Sequence, residues 1–139
     1  MEQARKPEPV AESVRSAARK IVGDQWFLDS TADKLAYGRD CWPLTTLWTR
    51  GGKVFQYTPD FVAVPANTSQ IVELVQLAKE SGTPLIPYGA GSGVCGGVLP
   101  LQGGFTVDVK RLDRMLELDQ DALTVRAQAG AIGMHLEAA

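Results

Sequence analysis

Histidine, cysteine and long apolar runs are all scarce in this chain of 139 residues, and each shortage excludes something. His135 is the only histidine, so a two-histidine zinc site and a His-Glu-x-x-His motif cannot be assembled inside the chain. Cys41 and Cys95 stand apart, with no second cysteine or histidine within four residues, which rules out a disulfide framework and paired metal-ligand spacing. Apolar runs extend only a few residues, far short of the roughly 20 that span a bilayer. The opening Met1 to Pro9 mixes both charge signs and has no apolar stretch of the kind a secretory leader needs, so a cytoplasmic protein is expected. A basic excess is also missing: 14 Lys and Arg against 16 Asp and Glu leave a net charge of −2. That balance argues against a nucleic-acid partner or an anionic membrane surface. A hydrophobic content of 45% with 22% charged residues describes a soluble globular chain with one core.

Residues 1–9 read as a loose tail. Beyond them Val10, Val14, Ala17, Ala18, Ile21 and Val22 fall on one face of a helix that stops near Gly23. Asp29 to Asp33 offers capping side chains for a further short turn or helix. Tyr37 to Pro43, with Leu47 and Trp48, reads as an irregular aromatic-rich surface segment anchored by Trp42 and Trp48. From Val54 the pattern changes: Val54 to Tyr57 and Phe61 to Val64 are expected strands. Asn67 or Thr68 caps a helix carrying Ile71, Leu74, Val75 and Ala78, and Leu85–Ile86 is expected as a short buried strand. This makes a β-α-β unit over 61–87. Phe105 to Val109 alternates as a strand, Met115–Leu118 and Leu123–Ala127 form a hairpin, and a helix begins in the stretch Gly130 to Ala139, so the domain is expected to be incomplete at that end.

Against this background glycine is abundant in one place. Seven of the 14 glycines lie between Gly89 and Gly104. Glycine loses the most backbone freedom on folding and is favoured where φ is positive or where something approaches the main chain closely. Successive N–H groups in such a turn after a strand form a nest for a phosphate, and charge-assisted hydrogen bonds of about 1.5–3 kcal/mol each could hold a pyrophosphate without lysine. The competing reading is a tightly packed surface loop. A P-loop is excluded because Gly96-Gly97-Val98 lacks its Lys and Ser or Thr. Gly91-Ser92-Gly93-Val94-Cys95-Gly96 matches GxGxxG, yet Pro100, Gly103 and Gly104 leave no room for the helix that a dinucleotide fingerprint must open, so the match is coincidental.

Three ordered segments resemble a known family. Phe61 to Pro65, the helix with Ile71-Val72-Glu73-Leu74, and Pro84 to Gly93 are similar to the start of the FAD-binding domain of the PCMH type, also called the vanillyl-alcohol oxidase type. Asp108 to Asp119 and Leu123 to Gly130 continue it in order, and Tyr37-Gly38-Arg39-Asp40 resembles the lead-in of bacterial members. The resemblance spans about residues 35–139. It implies a mixed α/β (α+β) PCMH-type FAD-binding fold, with residues 1–52 as a helical extension and lead-in and residues 53–139 as the FAD-binding portion.

The resemblance also implies site residues and a cofactor. Pro87, Tyr88, Gly89, Ala90, Gly91, Ser92 and Gly93 would lie along the FAD pyrophosphate, with Gly96 and Gly97 completing the loop. Asp108, Arg111 and Arg114, and then Ala129, Gly130, Ile132 and Gly133, would add contacts, the last group around adenine and ribose. Some members attach flavin through a histidine in this loop; here the loop has none, so noncovalent FAD is expected. The implied activity is oxidation of a small 2-hydroxy acid with hydride passing to flavin, as in glycolate or D-lactate dehydrogenases. The alternatives are an alkyl-dihydroxyacetone-phosphate synthase-like flavoprotein, a transferase without net redox change, and a noncatalytic FAD-binding or assembly module. Substrate would be held by a following domain or a partner chain, and the 139 residues alone would be inactive. Arg39 and Asp40 read as a structural ion pair in preference to an active-site lining, Lys110, Arg111 and Arg114 as phosphate-neutralising or simply solvated, and Cys95 and His135 as packing or surface residues.

Overall fold

A computed structural model describes residues 8–52 and 57–138. The residues that form the expected strand Val54 to Tyr57 lie outside this set except Tyr57, and most of the expected N-terminal tail does as well.

Helix α1, Glu12–Val22, buries Val14, Ala18 and Val22, one residue per turn, and ends at Gly23. The chain then turns into the two-residue strand β1, Phe27–Leu28, and into α2, Thr31–Tyr37. Ser30 caps α2, its Oγ accepting from Asp33 N–H at 3.1 Å. The segment expected to be irregular is instead helical over α3, Pro43–Arg50. Proline is harmless at the first helical position, where its missing N–H has no partner to lose. Thr45 N–H closes the first turn on the Trp42 carbonyl at 3.0 Å. Trp42 and Trp48 do anchor this segment, packing edge-on at 5.6 Å with Trp48 stacked on Tyr57 at 5.2 Å.

Strand β2 is Val62–Ala63, followed by α4, Thr68–Ser81. Asn67 is the cap: its Oδ1 accepts from Gln70 N–H, and Gln70 Oε1 accepts in return from Ala66 N–H. Strand β3, Leu85–Tyr88, and β4, Phe105–Asp108, follow, then the hairpin β5, Met115–Asp119, with β6, Thr124–Ala127, and the short helix α5, Gly133–Glu137.

The sheet order is β1-β2-β4-β3, with β1 antiparallel to β2 and the other pairs parallel. This corrects the simple β-α-β expectation. The two strands joined by α4 are not neighbours, because β4 inserts between them and pairs with both. In consequence β4 is buried along its whole length, and β3 is a half-buried edge strand that tolerates Pro87. On one face of β4, Phe105 and Val107 meet Ala18 and Val22 of α1 and Leu74 and Ala78 of α4. Rings of Phe27, Phe61 and Phe105 stack in series at 4.7 and 4.8 Å through this core. Thr106 and Asp108 belong to the opposite face, as the two-residue strand period requires, and there Tyr37 of α2 meets Asp108. No helix among the described residues is long and apolar enough to cross a membrane.

Candidate functional site

Parallel pairing of β3 with β4 ends at Tyr88 opposite Asp108, so the glycine-rich loop 89–104 and the turn 109–114 leave the sheet at the same carboxyl edge. Val109 N–H donates to the Tyr88 carbonyl at 3.0 Å, and Leu112 N–H closes the turn on Val109 at 2.9 Å. The hairpin returns the chain to this turn: Gly130 N–H donates to the Leu112 carbonyl at 2.8 Å. Gly130 lies against the main chain of Val109 and Lys110 too closely for any side chain. The segments 87–93, 108–114 and 129–133 thus converge. In open α/β sheets ligands bind outside the carboxyl ends of the strands, which is where these segments meet.

The loop has no helix, in agreement with dismissing the GxGxxG match. Among the described residues, the N–H groups of Ala90, Gly91, Ser92 and Gly93 find no protein acceptor. Ala90, Ser92, Gly93 and Gly97 are exposed. At Gly89 a Cβ would meet nothing within 4 Å, and its φ is not one that disfavours side chains. Neither packing nor backbone strain accounts for glycine there, whereas at Gly91 both do: its φ is +66° and a Cβ would lie against the Tyr88 hydroxyl. A row of unpaired donors in a largely exposed loop suits an anion such as a pyrophosphate.

The flanking side chains are mostly occupied. Asp108 is buried; its Oδ2 accepts from the Tyr37 hydroxyl at 2.5 Å and pairs with Lys110 Nζ at 3.0 Å, and its Oδ1 accepts from Lys110 N–H. Lys110 also lies over the rings of Tyr37 and Tyr88 at 4.9 and 5.1 Å. Burial, reinforced by the hydrogen bond to and the charge of Asp108, pushes the Tyr37 hydroxyl well above its ordinary pKa. Burial and then the Asp108 charge raise Tyr88 as well. Both phenols are therefore neutral hydrogen-bonding groups at physiological pH rather than bases. Arg111 donates to the Val64 carbonyl at 2.9 Å and stacks on Trp26 at 3.7 Å, and Arg114 is held by Gln128. Pro87 is exposed on β3, while Tyr88 is buried. Ala129 and Ile132 are exposed, and Gly133 opens α5.

Sequence reasoning missed the residues that brace the loop from upstream. Asp40 makes no ion pair with Arg39; among the described residues its carboxylate accepts from backbone N–H groups instead, at Trp42 and at Gly96. The compact sequence Tyr37-Gly38-Arg39-Asp40 was the available signal, but nothing local says that it folds onto a loop some fifty residues away. Cys41 and Cys95 are both free and exposed, and His135 is exposed on α5. No cluster of three metal-ligating side chains occurs among the described residues.

Comparison with known proteins agrees with this arrangement. Residues 59–139 match the model of a family described as FAD binding domain. Glycolate oxidase subunit GlcD of Bacillus subtilis is 30% identical over 127 residues, covering 91% of this chain and 25% of that protein. A probable mitochondrial D-lactate dehydrogenase of Danio rerio is 27% identical over 124 residues, covering 86% and 22%. A solved structure of an alkyldihydroxyacetonephosphate synthase superposes with a TM-score of 0.84 at 22% identity, over 95% of this chain and 27% of that one. The chain spans about a quarter of the length of these relatives.

Proposed function

The chain belongs to the FAD binding domain family, and from that premise we propose that its loop 87–93 holds the FAD pyrophosphate, noncovalently, in an oxidoreductase that acts on a small 2-hydroxy acid. The observation that carries the reading is the row of unpaired N–H groups at Ala90 to Gly93, placed at the carboxyl edge where 108–114 and 129–133 converge. Ser92 is exposed and adds a hydroxyl donor, and Gly96 and Gly97 complete the loop. With the Asp108, Arg111 and Arg114 side chains engaged within the protein, the turn 108–114 contributes chiefly main chain. Ala129, Gly130, Ile132 and Gly133 line the adenine and ribose side.

FAD, when bound, supplies the acceptor for the hydride, and the protein's part is binding and orientation. The loop fixes the pyrophosphate with neutral donors, and Tyr37 and Tyr88 stay protonated beside it. Residues 53–139 form the FAD-binding portion and 1–52 the lead-in that braces it. The 2-hydroxy-acid substrate is favoured by the likeness to the glycolate oxidase subunit over most of this chain. Cytoplasmic placement suits two exposed free cysteines, which a reducing compartment maintains. Substrate is held by a region or partner chain beyond these residues.

Titration of the purified chain with FAD, followed by acid precipitation, tests the cofactor part. Saturable quenching of flavin fluorescence and release of all flavin into the acid supernatant are expected. A folded chain that ignores FAD overturns it, and flavin that stays with the pellet overturns noncovalent attachment. For the substrate, the flavin-loaded protein with its substrate-binding region in place is expected to lose its visible flavin absorption on anaerobic addition of glycolate or D-lactate. No bleaching by any 2-hydroxy acid overturns that part.

A further inference from the structure

We propose that Asp40 is a positioning residue for FAD binding: it latches the glycine loop into the shape that presents its N–H groups. The inference rests on the loop as the pyrophosphate site. Its geometric basis is a contact between the lead-in and the loop that is bonded at several consecutive positions. Asp40 Oδ1 accepts from Trp42 N–H at 3.0 Å, which shapes the turn into α3, and Oδ2 accepts from Gly96 N–H at 2.9 Å. The next residue, Cys41, donates its N–H to the Gly93 carbonyl at 2.9 Å. One residue earlier, the Arg39 carbonyl accepts from the Tyr88 hydroxyl at 3.4 Å. Residues 39–41 are thus tied to Tyr88, Gly93 and Gly96, before, within and after the stretch whose donors are unpaired.

Packing supports the same contact. Gly96 has φ +78° and meets the Trp42 indole so closely that a Cβ would come within 2.6 Å of the ring. Trp42 is in turn held edge-on by Trp48. A Cβ at Gly93 would come to 3.3 Å from Asp40 Oδ2. A segment so rich in glycine has the most backbone freedom to lose, and a ligand that had to order it would bind more weakly than one meeting a loop already in place. Asp40 orders it while keeping both carboxylate oxygens engaged with N–H donors, so it acts through the loop and not as a ligand.

Asp40→Ala removes both acceptors, and Asp40→Asn keeps a single oxygen to serve one donor. Amide hydrogen exchange is measured on the chain without FAD, and FAD dissociation constants on the same proteins. In Asp40→Ala, exchange at the amides bonded in and around this contact, Cys41, Gly96 and Leu99, is expected to accelerate by about tenfold or more while β4 amides keep their protection, and FAD affinity to fall by about tenfold. Asp40→Asn is expected to lie between wild type and alanine in both readouts. Unchanged exchange at Cys41, Gly96 and Leu99, acceleration shared equally with β4, or FAD affinity that is unchanged or tighter in both variants overturns the proposal. If the wild-type chain takes up no FAD, the pyrophosphate reading fails and the positioning role with it, whereas the exchange measurement still decides whether Asp40 latches the loop.

Discussion

The sheet with its two covering helices and the β5–β6 hairpin with α5 draw on the same apolar residue types and end in opposite environments. In the sheet, Phe61, Val62, Ala63, Leu74 and Phe105 are fully buried, and the three stacked phenylalanines tie β1, β2 and β4 to α1 and α4. In the hairpin every residue of β5 is exposed, and Leu123 is 89% exposed. Met115, Leu118, Leu123, Val125 and Leu136 instead line an open groove between the hairpin and α5. The hairpin holds its shape through its ladder, the Arg126–Glu117 ion pair and the Asp119 side chain, whose Oδ1 accepts from Asp121 and Ala122 N–H. Hydrogen bonding can specify a strand pair, but stability comes from apolar surface removed from water, at about 25 cal/mol per Å². The sheet region has that and the hairpin has little, so this chain's stability resides in the former.

The largest effect that separates the two regions is expected from Phe61→Ala. Removing the middle ring of a buried stack costs about 3–5 kcal/mol, a large fraction of the roughly 5–15 kcal/mol that holds a domain together. Chemical denaturation is expected to show a collapse of the midpoint. A midpoint within experimental error of wild type would mean that the stability lies elsewhere.

A smaller effect is expected from Tyr37→Phe, at the face of β4 that adjoins the loop. Its hydroxyl hydrogen-bonds a buried carboxylate, so the loss is about 1.5–3 kcal/mol, moderated by Lys110, which still pairs with Asp108. The same residue sets a pH dependence. Its folded pKa is raised above the ordinary value of about 10, so the folded state holds the proton more tightly than the unfolded chain. The stabilisation is fully present below about pH 10 and is lost as pH rises beyond it. The stability gap between wild type and Tyr37→Phe is expected to stay constant from neutrality to about pH 9 and to narrow at higher pH. A gap that widens with alkali would contradict the assignment. Least of all should happen at Leu123→Ala, where the side chain is already in water: a change within about 0.5 kcal/mol. A loss comparable to that at Phe61 would erase the contrast between the regions.

Much of the sheet region, and the hairpin as well, was legible in the sequence because the signals are local. The apolar face of α1, the Asn67 cap and Leu74–Ala78 face of α4, and the hairpin all follow from spacing over a few residues. The α3 helix was not, since its aromatic residues and Pro43 resemble loop composition, and only the Trp42–Trp48–Tyr57 packing makes sense of them. The candidate site divides in the same way. Glycine density marked the loop, but Arg111 read as a phosphate-neutralising or solvated charge and Asp40 as the ion-pair partner of Arg39. One proved to be fastened to Trp26 and the Val64 carbonyl, and the other to Gly96 N–H.

By itself the sequence determined most of the helices and strands, where an anion could meet bare main chain, and the family to which the ordered motifs belong. Periodicity, capping chemistry and glycine placement act within a few residues, so they can be read along the chain. Only the tertiary structure decided that β4 inserts between β2 and β3, that the three loop segments share one edge, and that residues 39–41 tie the lead-in to the loop. Those relations depend on contacts between residues tens of positions apart, whose closure is decided by the burial of the whole core and leaves no local trace.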